Sequence, residues 1–285
     1  MKWLPWICAL CLVLLAGTVW SLLNRGTDIA VPVHATQTGA APAGDGDRAA
    51  LLAAARRRCD PAALDAFVAE QEALLARGDA APAALRLCAE ARIERVLLQN
   101  QLRGMSIGEP LYAELPAAVA ADLDRALELL QRARGSGDDS AANHRLEAVA
   151  LGQRITGLGT ALQWNGRIEA ALARAAERDE RDPALHVTLG LRKLLAPRFL
   201  GHDADGALEH LRYAAEALAG DERPRVFAAM AAYLCKKRVQ AIEWLERAVS
   251  ENPNNVFARV VLRRLRRGEE APFARDVTPE EAAAK

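Results

Sequence analysis

The residues best equipped for chemistry gather in one stretch, Ala196-Pro-Arg-Phe-Leu-Gly-His202-Asp203-Ala-Asp205-Gly206, with His210 one helical turn further on. An imidazole and two carboxylates could hold a cation or move a proton. Hard cations require several oxygen ligands converging on one point and zinc requires about four ligands, so two aspartates and a histidine without a recognised loop spacing fall short of a metal site. Asp203 or Asp205 has a plainer role, capping the helix that begins near Gly206. The chain has no Gly-x-Ser-x-Gly turn, no His-Glu-x-x-His helix and no glycine-rich phosphate loop. Its five histidines, His34, His144, His186, His202 and His210, fall mostly on expected helices without an evident acid or nucleophile beside them. No catalytic residue, metal or cofactor is therefore expected. An enzyme working through the His202 to His210 region would need those side chains to converge in a cleft.

Beyond the apolar amino-terminal segment the cysteines are Cys59, Cys88 and Cys235, an odd set that cannot pair completely within one chain. Cys59 and Cys88 are the nearest in sequence, yet two antiparallel helices would hold them more than a turn out of register. The plainer reading is that all three are small buried apolar side chains. Arg259, Arg263, Arg264, Arg266 and Arg267 crowd one short helix. They could meet anionic lipid or an acidic partner, or form the solvated face that ends a stack of helices. Thirty-seven basic residues balance thirty-seven acidic ones, so no bulk field draws in nucleic acid.

The elements that must position these residues are helices. With 51% hydrophobic and 26% charged residues and heavy use of Ala, Leu, Arg and Glu, the chain favours an all-α fold with a sizeable core. One helix face recurs four times, as Ala126/Leu130/Ala133, Ile168/Leu172/Ala175, Ala207/Leu211/Ala214 and Ala241/Leu245/Ala248, at intervals of 42, 39 and 34 residues. A returning interface of this kind builds one supersecondary unit repeatedly, each copy sealing the apolar face of its neighbour. Leu151-Gly152 and Leu189-Gly190 precede two of these faces, while the helix from Pro224 to Tyr233 has Ala228 and Ala229 instead. The spacing resembles the tetratricopeptide repeat, and the segment from Ala241 to Pro253 fits it best. The resemblance implies a right-handed α-solenoid of helix-turn-helix repeats that binds other proteins. The connections before Ile168 and Ala207 are some residues longer than the family's. The stretch Pro197-x-x-x-Gly201-x-Asp203 is also similar to a turn in proteins resembling the T-component of periplasmic TRAP transporters, which implies a ligand-binding accessory of a transport system as an alternative function.

Several boundaries follow. Residues 1–25 read as a transmembrane signal anchor: no charge interrupts Trp3 to Asn24, a length that crosses a bilayer, and Trp3, Trp6 and Trp20 stand at its two ends. Lys2 flanks one side while Arg25 is offset by Asp28, placing the amino terminus in the cytoplasm and the remainder in the periplasm or extracytoplasmic space. A cleaved signal is the competing reading, although Val33-His-Ala35 lies far downstream for its cleavage site. Residues 26–47 read as a flexible linker spanning roughly 25 Å. Residues 48–115 form an amino-terminal cap or degenerate repeat, 116–254 the repeats, 255–267 a capping helix and 268–285 a tail. Within the cap, Asp60-Pro61 starts one helix and Pro82 another, whose charges Arg86, Glu90, Arg92, Glu94 and Arg95 face away from the core. Thr278-Pro-Glu-Glu281 has the form of a capping box in the tail.

Such a stack offers a groove lined by the first helix of each hairpin. The positions expected there are Leu146, Val149 and Gln153, then Val187, Leu191 and Leu194, then Val226, Met230 and Tyr233. This mainly apolar set predicts a helix or extended segment from a protein partner, or a further segment of the same chain, as occupant; a register shifted by one would turn the same residues into internal packing. The function expected is a membrane-tethered scaffold that mediates protein-protein contacts, with no nucleic-acid partner and with self-association left open.

Overall fold

The computed structural model describes residues 45–78 and 80–284. The expected membrane helix, nearly all of the linker and His34 lie outside them. The described residues form twelve α-helices and no strand. In chain order these are α1 (Asp45–Arg58), α2 (Pro61–Leu75), α3 (Pro82–Gln99), α4 (Ala117–Gly135), α5 (Ala141–Gly152), α6 (Leu158–Arg178), α7 (Pro183–Leu195), α8 (Ala204–Ala217), α9 (Arg223–Leu234), α10 (Arg238–Glu251), α11 (Val256–Arg267) and α12 (Pro279–Ala283). Helix starts follow from local chemistry. The first backbone N–H groups of a helix lack partners within it, and short polar side chains supply them. Asp60, Ser140, Asp182, Asp203 and Asn255 each accept from such an N–H, and Pro61 and Pro183 stand where no donor is needed.

The helices pair as antiparallel hairpins, α3 with α4, α5 with α6, α7 with α8 and α9 with α10. We call the first member of each the A helix and the second the B helix. The segment 48–115 therefore divides: α3 is the A helix of the first hairpin, while α1 and α2 stand outside the repeats. The recurring face lies on the four B helices, and none of its twelve residues is more than 5% exposed. Each leucine or isoleucine buried there contributes about 1.5–3 kcal/mol, while the alanines let neighbouring backbones approach. The third hairpin shows why one glycine is needed: a Cβ on Gly190 would sit 2.6 Å from Leu211 Cγ. Gly152, which the repeat pattern treats alike, has nothing within 4 Å of the same point. The extra residues ahead of the second and third B helices have different fates. Those before Ile168 lengthen α6, which begins at Leu158, and those before Ala207 make a 3-10 turn, Arg198–Leu200.

The two ends of the stack meet. Arg57, at the end of α1, donates to the Glu251 carbonyl at 3.2 Å, and Asn254 donates back to the Arg57 carbonyl at 3.4 Å. The loop after α3 pairs with the tail through Met105 N–H to Phe273 O at 2.7 Å and Val277 N–H to Leu102 O at 2.8 Å. Gly104 permits this approach, since a Cβ there would lie 2.5 Å from the Ala274 backbone. Phe273 and Val277 are buried in the carboxy-terminal core, with Leu102 and Met105 packed beside them.

Of the five basic residues of α11, Arg266 and Arg267 are exposed as a solvated face requires, but Arg264 is not. Arg264 is 1% exposed and donates to the carbonyls of Pro272, Arg275 and Asp276 while pairing with Glu281 at 2.5 Å. A guanidinium carries five donors in a fixed fork, so it can organise several turns of irregular backbone that a lysine could not. The Thr278 capping box forms, and Arg264 anchors the short α12 through Glu281. No helix among the described residues is long and apolar enough to cross a membrane.

Candidate functional site

The A-helix face is where the repeat geometry brings residues of different hairpins together. Of the positions expected in the groove, Leu146, Leu194, Val226 and Met230 are buried in the hydrophobic cores. Val149, Gln153, Val187, Leu191 and Tyr233 are half-buried. Much of this face is covered by the chain itself. Asn100, just past α3, donates to Gln153 at 3.5 Å, the Tyr233 hydroxyl donates to the Glu270 carbonyl, and the Tyr233 and Phe273 rings lie 5.9 Å apart.

What remains open is a charged cleft of about 330 Å³ where all four A helices converge with α1 and the α8–α9 turn. Its lining includes Arg56 and Arg57 of α1, Glu90 and Glu94 of α3, Arg145 of α5, Ala184 of α7, and Asp221 and Arg223 at the start of α9. Arg223 joins the first and last hairpins. Its Nη1 donates to both Glu94 carboxylate oxygens at 3.0 and 2.8 Å, and its Nε and Nη2 hold Asp221 at 3.0 and 2.9 Å. Arg56 reaches the same two carboxylates at 3.4 and 3.2 Å. Burial alone would raise the Asp221 carboxyl, but Arg223 and Arg56 overcome it and hold Asp221 well below the usual carboxylate range.

Arg145 stands apart from this locked network. Its nearest carboxylates are Glu90 at 3.9 Å and Asp182 at 3.7 Å, and its Nε is buried with no hydrogen-bond partner. A buried donor left without an acceptor is costly, and Arg145 keeps only these two long carboxylate contacts. The space between α1 and the repeats is thus small and charged, where a transport accessory of the kind considered above would need a deep apolar cavity.

The sequence anticipated an apolar groove and missed this cleft. Glu90 and Glu94 lie one turn apart on α3 and read as a solvent-facing pair, and Asp221-Glu-Arg223 carried no periodic signal. Only the pairing of Glu94 with a residue 129 positions later reveals the role of either.

The residues singled out for chemistry are distributed differently. Asp203 caps α8 through the Gly206 N–H at 2.9 Å and pairs with Lys193 at 2.8 Å, whereas Asp205 is exposed and faces Lys237 at 3.3 Å. His202 Nδ1 donates to the Leu194 carbonyl at 3.0 Å. His210 turns to His186, their Nδ1 atoms 2.9 Å apart. His186 Nε2 lies 3.0 Å from the Glu180 carbonyl. A carbonyl only accepts, so the proton of neutral His186 sits on Nε2 and its Nδ1 accepts from His210. Burial and then the neighbouring His186 lower the pKa of His210. Among the described residues no group of three or more His, Cys, Asp or Glu side chains is placed to hold a metal ion. Cys59, Cys88 and Cys235 are free thiols, and burial, followed by the Glu72 charge, pushes Cys88 up to about 11.

Comparison with solved structures bears on the fold. The chain is similar to TTC0263, a thermophilic TPR protein of Thermus thermophilus, with a TM-score of 0.55 and 16% identity over 78% of this chain and 98% of that one. The fold is a tetratricopeptide-like solenoid. YrrB, described as a TPR protein with an unusual peptide-binding site, matches 70% of this chain and 92% of its own at 15% identity, with a TM-score of 0.36 that is too low to carry an argument. No family model matches the sequence, and no curated protein does. At these identities the likeness extends to the arrangement of the repeats and no further.

Proposed function

We propose that this protein is a membrane-tethered scaffold whose repeat stack binds a polypeptide partner outside the cytoplasm. One observation carries the reading: four consecutive A helices and α1 line a single cleft in which the buried Arg145 Nε has no acceptor. A partner segment offering a carbonyl or carboxylate would complete it, and the half-buried Val149, Val187 and Leu191 lie on the same A helices. The tether comes from the sequence, through the uncharged run Trp3 to Asn24, its flanking tryptophans and the charge on its amino-terminal side. The likeness to solved repeat proteins supports a binding role by analogy of fold alone.

The test is a photoreactive residue placed at Ala184, in the cleft, or at the exposed Glu177 on α6, in the full chain in its native membrane. The expected result is a defined polypeptide adduct from position 184, absent from position 177 and lost in Arg145→Met. Adducts to lipid alone, no adduct, or equal labelling at both positions would overturn the reading. Protease added to intact spheroplasts tests the topology and should degrade the repeats; full protection would contradict it.

A further inference from the structure

Four of the five exposed large apolar side chains of the repeat stack share one kind of location, and the fifth, Tyr213, lies on α8. Leu158 and Leu162 are 56% and 57% exposed, Phe199 is 67% and Val239 is 72%. All four stand at the connection from an A helix to its B helix, in the second, third and fourth hairpins in turn. Because the hairpins lie side by side, these connections follow one another along one edge. Contacts between hairpins bear this out: Arg192, near the end of α7, donates to Asn165 early in α6 at 2.9 Å, and Lys237 reaches back to Asp205 at 3.3 Å.

Cations stand beside two of these apolar residues. Arg198 precedes Phe199, and Lys236, Lys237 and Arg238 precede Val239. Arg198 and Lys236 are exposed and, among the described residues, have no ion-pair partner. Asp203 is already engaged by Lys193. Apolar tips that would cost free energy in water, two of them beside the unpaired cations Arg198 and Lys236, match an interface whose outer layer is anionic and whose interior is hydrocarbon. On the tethered reading proposed above, such a surface is the one to which the chain is attached.

We propose that this edge, led by Leu158, Leu162, Phe199 and Val239 with Arg198 and Lys236, docks onto the anionic lipid surface to which the chain is tethered. The inference rests on the tethered reading above and adds an orientation to it. The edge lies against the headgroups, so the stack is held by two attachments instead of swinging on one.

The experiment reconstitutes the full chain into vesicles of phosphatidylcholine alone or of phosphatidylcholine with phosphatidylglycerol and follows amide hydrogen exchange. Segments 196–203 and 235–240 should exchange several-fold more slowly in the anionic vesicles than in the neutral ones. The variant F199S/V239S, altered only at exposed positions, should keep the helical circular dichroism and lose that difference. K236E should weaken docking by more than the roughly fivefold expected for loss of one cation. Equal exchange in both vesicle types would overturn docking, as would protection that follows protein density instead of lipid charge, the mark of a second copy on this edge. Flotation reads the tether separately: failure to float with neutral vesicles refutes the anchor, while charge-dependent protection of the two segments still decides the edge.

Discussion

Two glycines with the same place in the repeat pattern have opposite requirements. Gly190 leaves space that Leu211 fills, so Gly190→Ala should cost about 1–3 kcal/mol through overpacking. Gly152 opens onto free space, so Gly152→Ala should be neutral or stabilise by up to about 1 kcal/mol through helix propensity. Urea denaturation of both variants checks the contrast, and equal losses would contradict it. Arg264 is the second residue whose environment decides its role. Methionine there keeps the volume but strands three carbonyls and leaves Glu281 to Arg275 alone. We expect a loss of about 3 kcal/mol with faster exchange across 269–284, whereas Arg267→Met, at an exposed site, should change neither. The sequence showed five arginines in one helix, but it could not show which faced the tail, because the carbonyls that bind Arg264 come from backbone with no side-chain signature.

At the scale of elements, the periodic column was legible because burial of a B helix demands the same spacing in every unit, and all twelve of its residues proved buried. Capping was legible for the same reason, since Asp60, Asp203 and Thr278 sit where unpaired N–H groups require an acceptor. The long connections were less so: extra residues can extend a helix or form a turn, and α6 and the 3-10 segment took one course each. The α7–α8 hairpin carries a pH prediction. The His210 pKa is depressed from its ordinary value near 6.5 by burial and by His186, with Lys193 acting in the same direction and Glu209 and Asp203 against it. A depressed pKa means that the unfolded chain takes up the proton first as pH falls, so this contribution is complete above about pH 6.5 and is lost as pH drops toward the folded value. Thermal unfolding between about pH 7.5 and 5 should show a steeper decline for the wild type than for His210→Gln. Parallel curves would contradict the assignment. Lower still, hydrogen bonding from Arg125, aided by Arg92 against the effect of burial, holds Glu72 down to about 2, so the stability that it adds at neutral pH fades below its ordinary value near 4.5.

For the whole molecule, the decisive property is closure. A pattern that repeats every few tens of residues predicts contacts between neighbours, but it is silent on contacts between the first and last copies. Those depend on single residues far apart in sequence, Glu94 with Arg223 and Arg57 with the α10 terminus, and on a tail whose apolar anchors Phe273 and Val277 are too few to form a period. Closure is what covers much of the expected groove and narrows the remaining space on that face to a charged cleft. The most direct test is a double-mutant cycle in urea on Glu94→Gln and Arg223→Met. Residues 129 positions apart influence each other only if the ends of the stack touch, and we predict a coupling of about 1–3 kcal/mol. Additivity to within about 0.3 kcal/mol would show that the two hairpins do not meet, and would remove the cleft on which the proposed function stands.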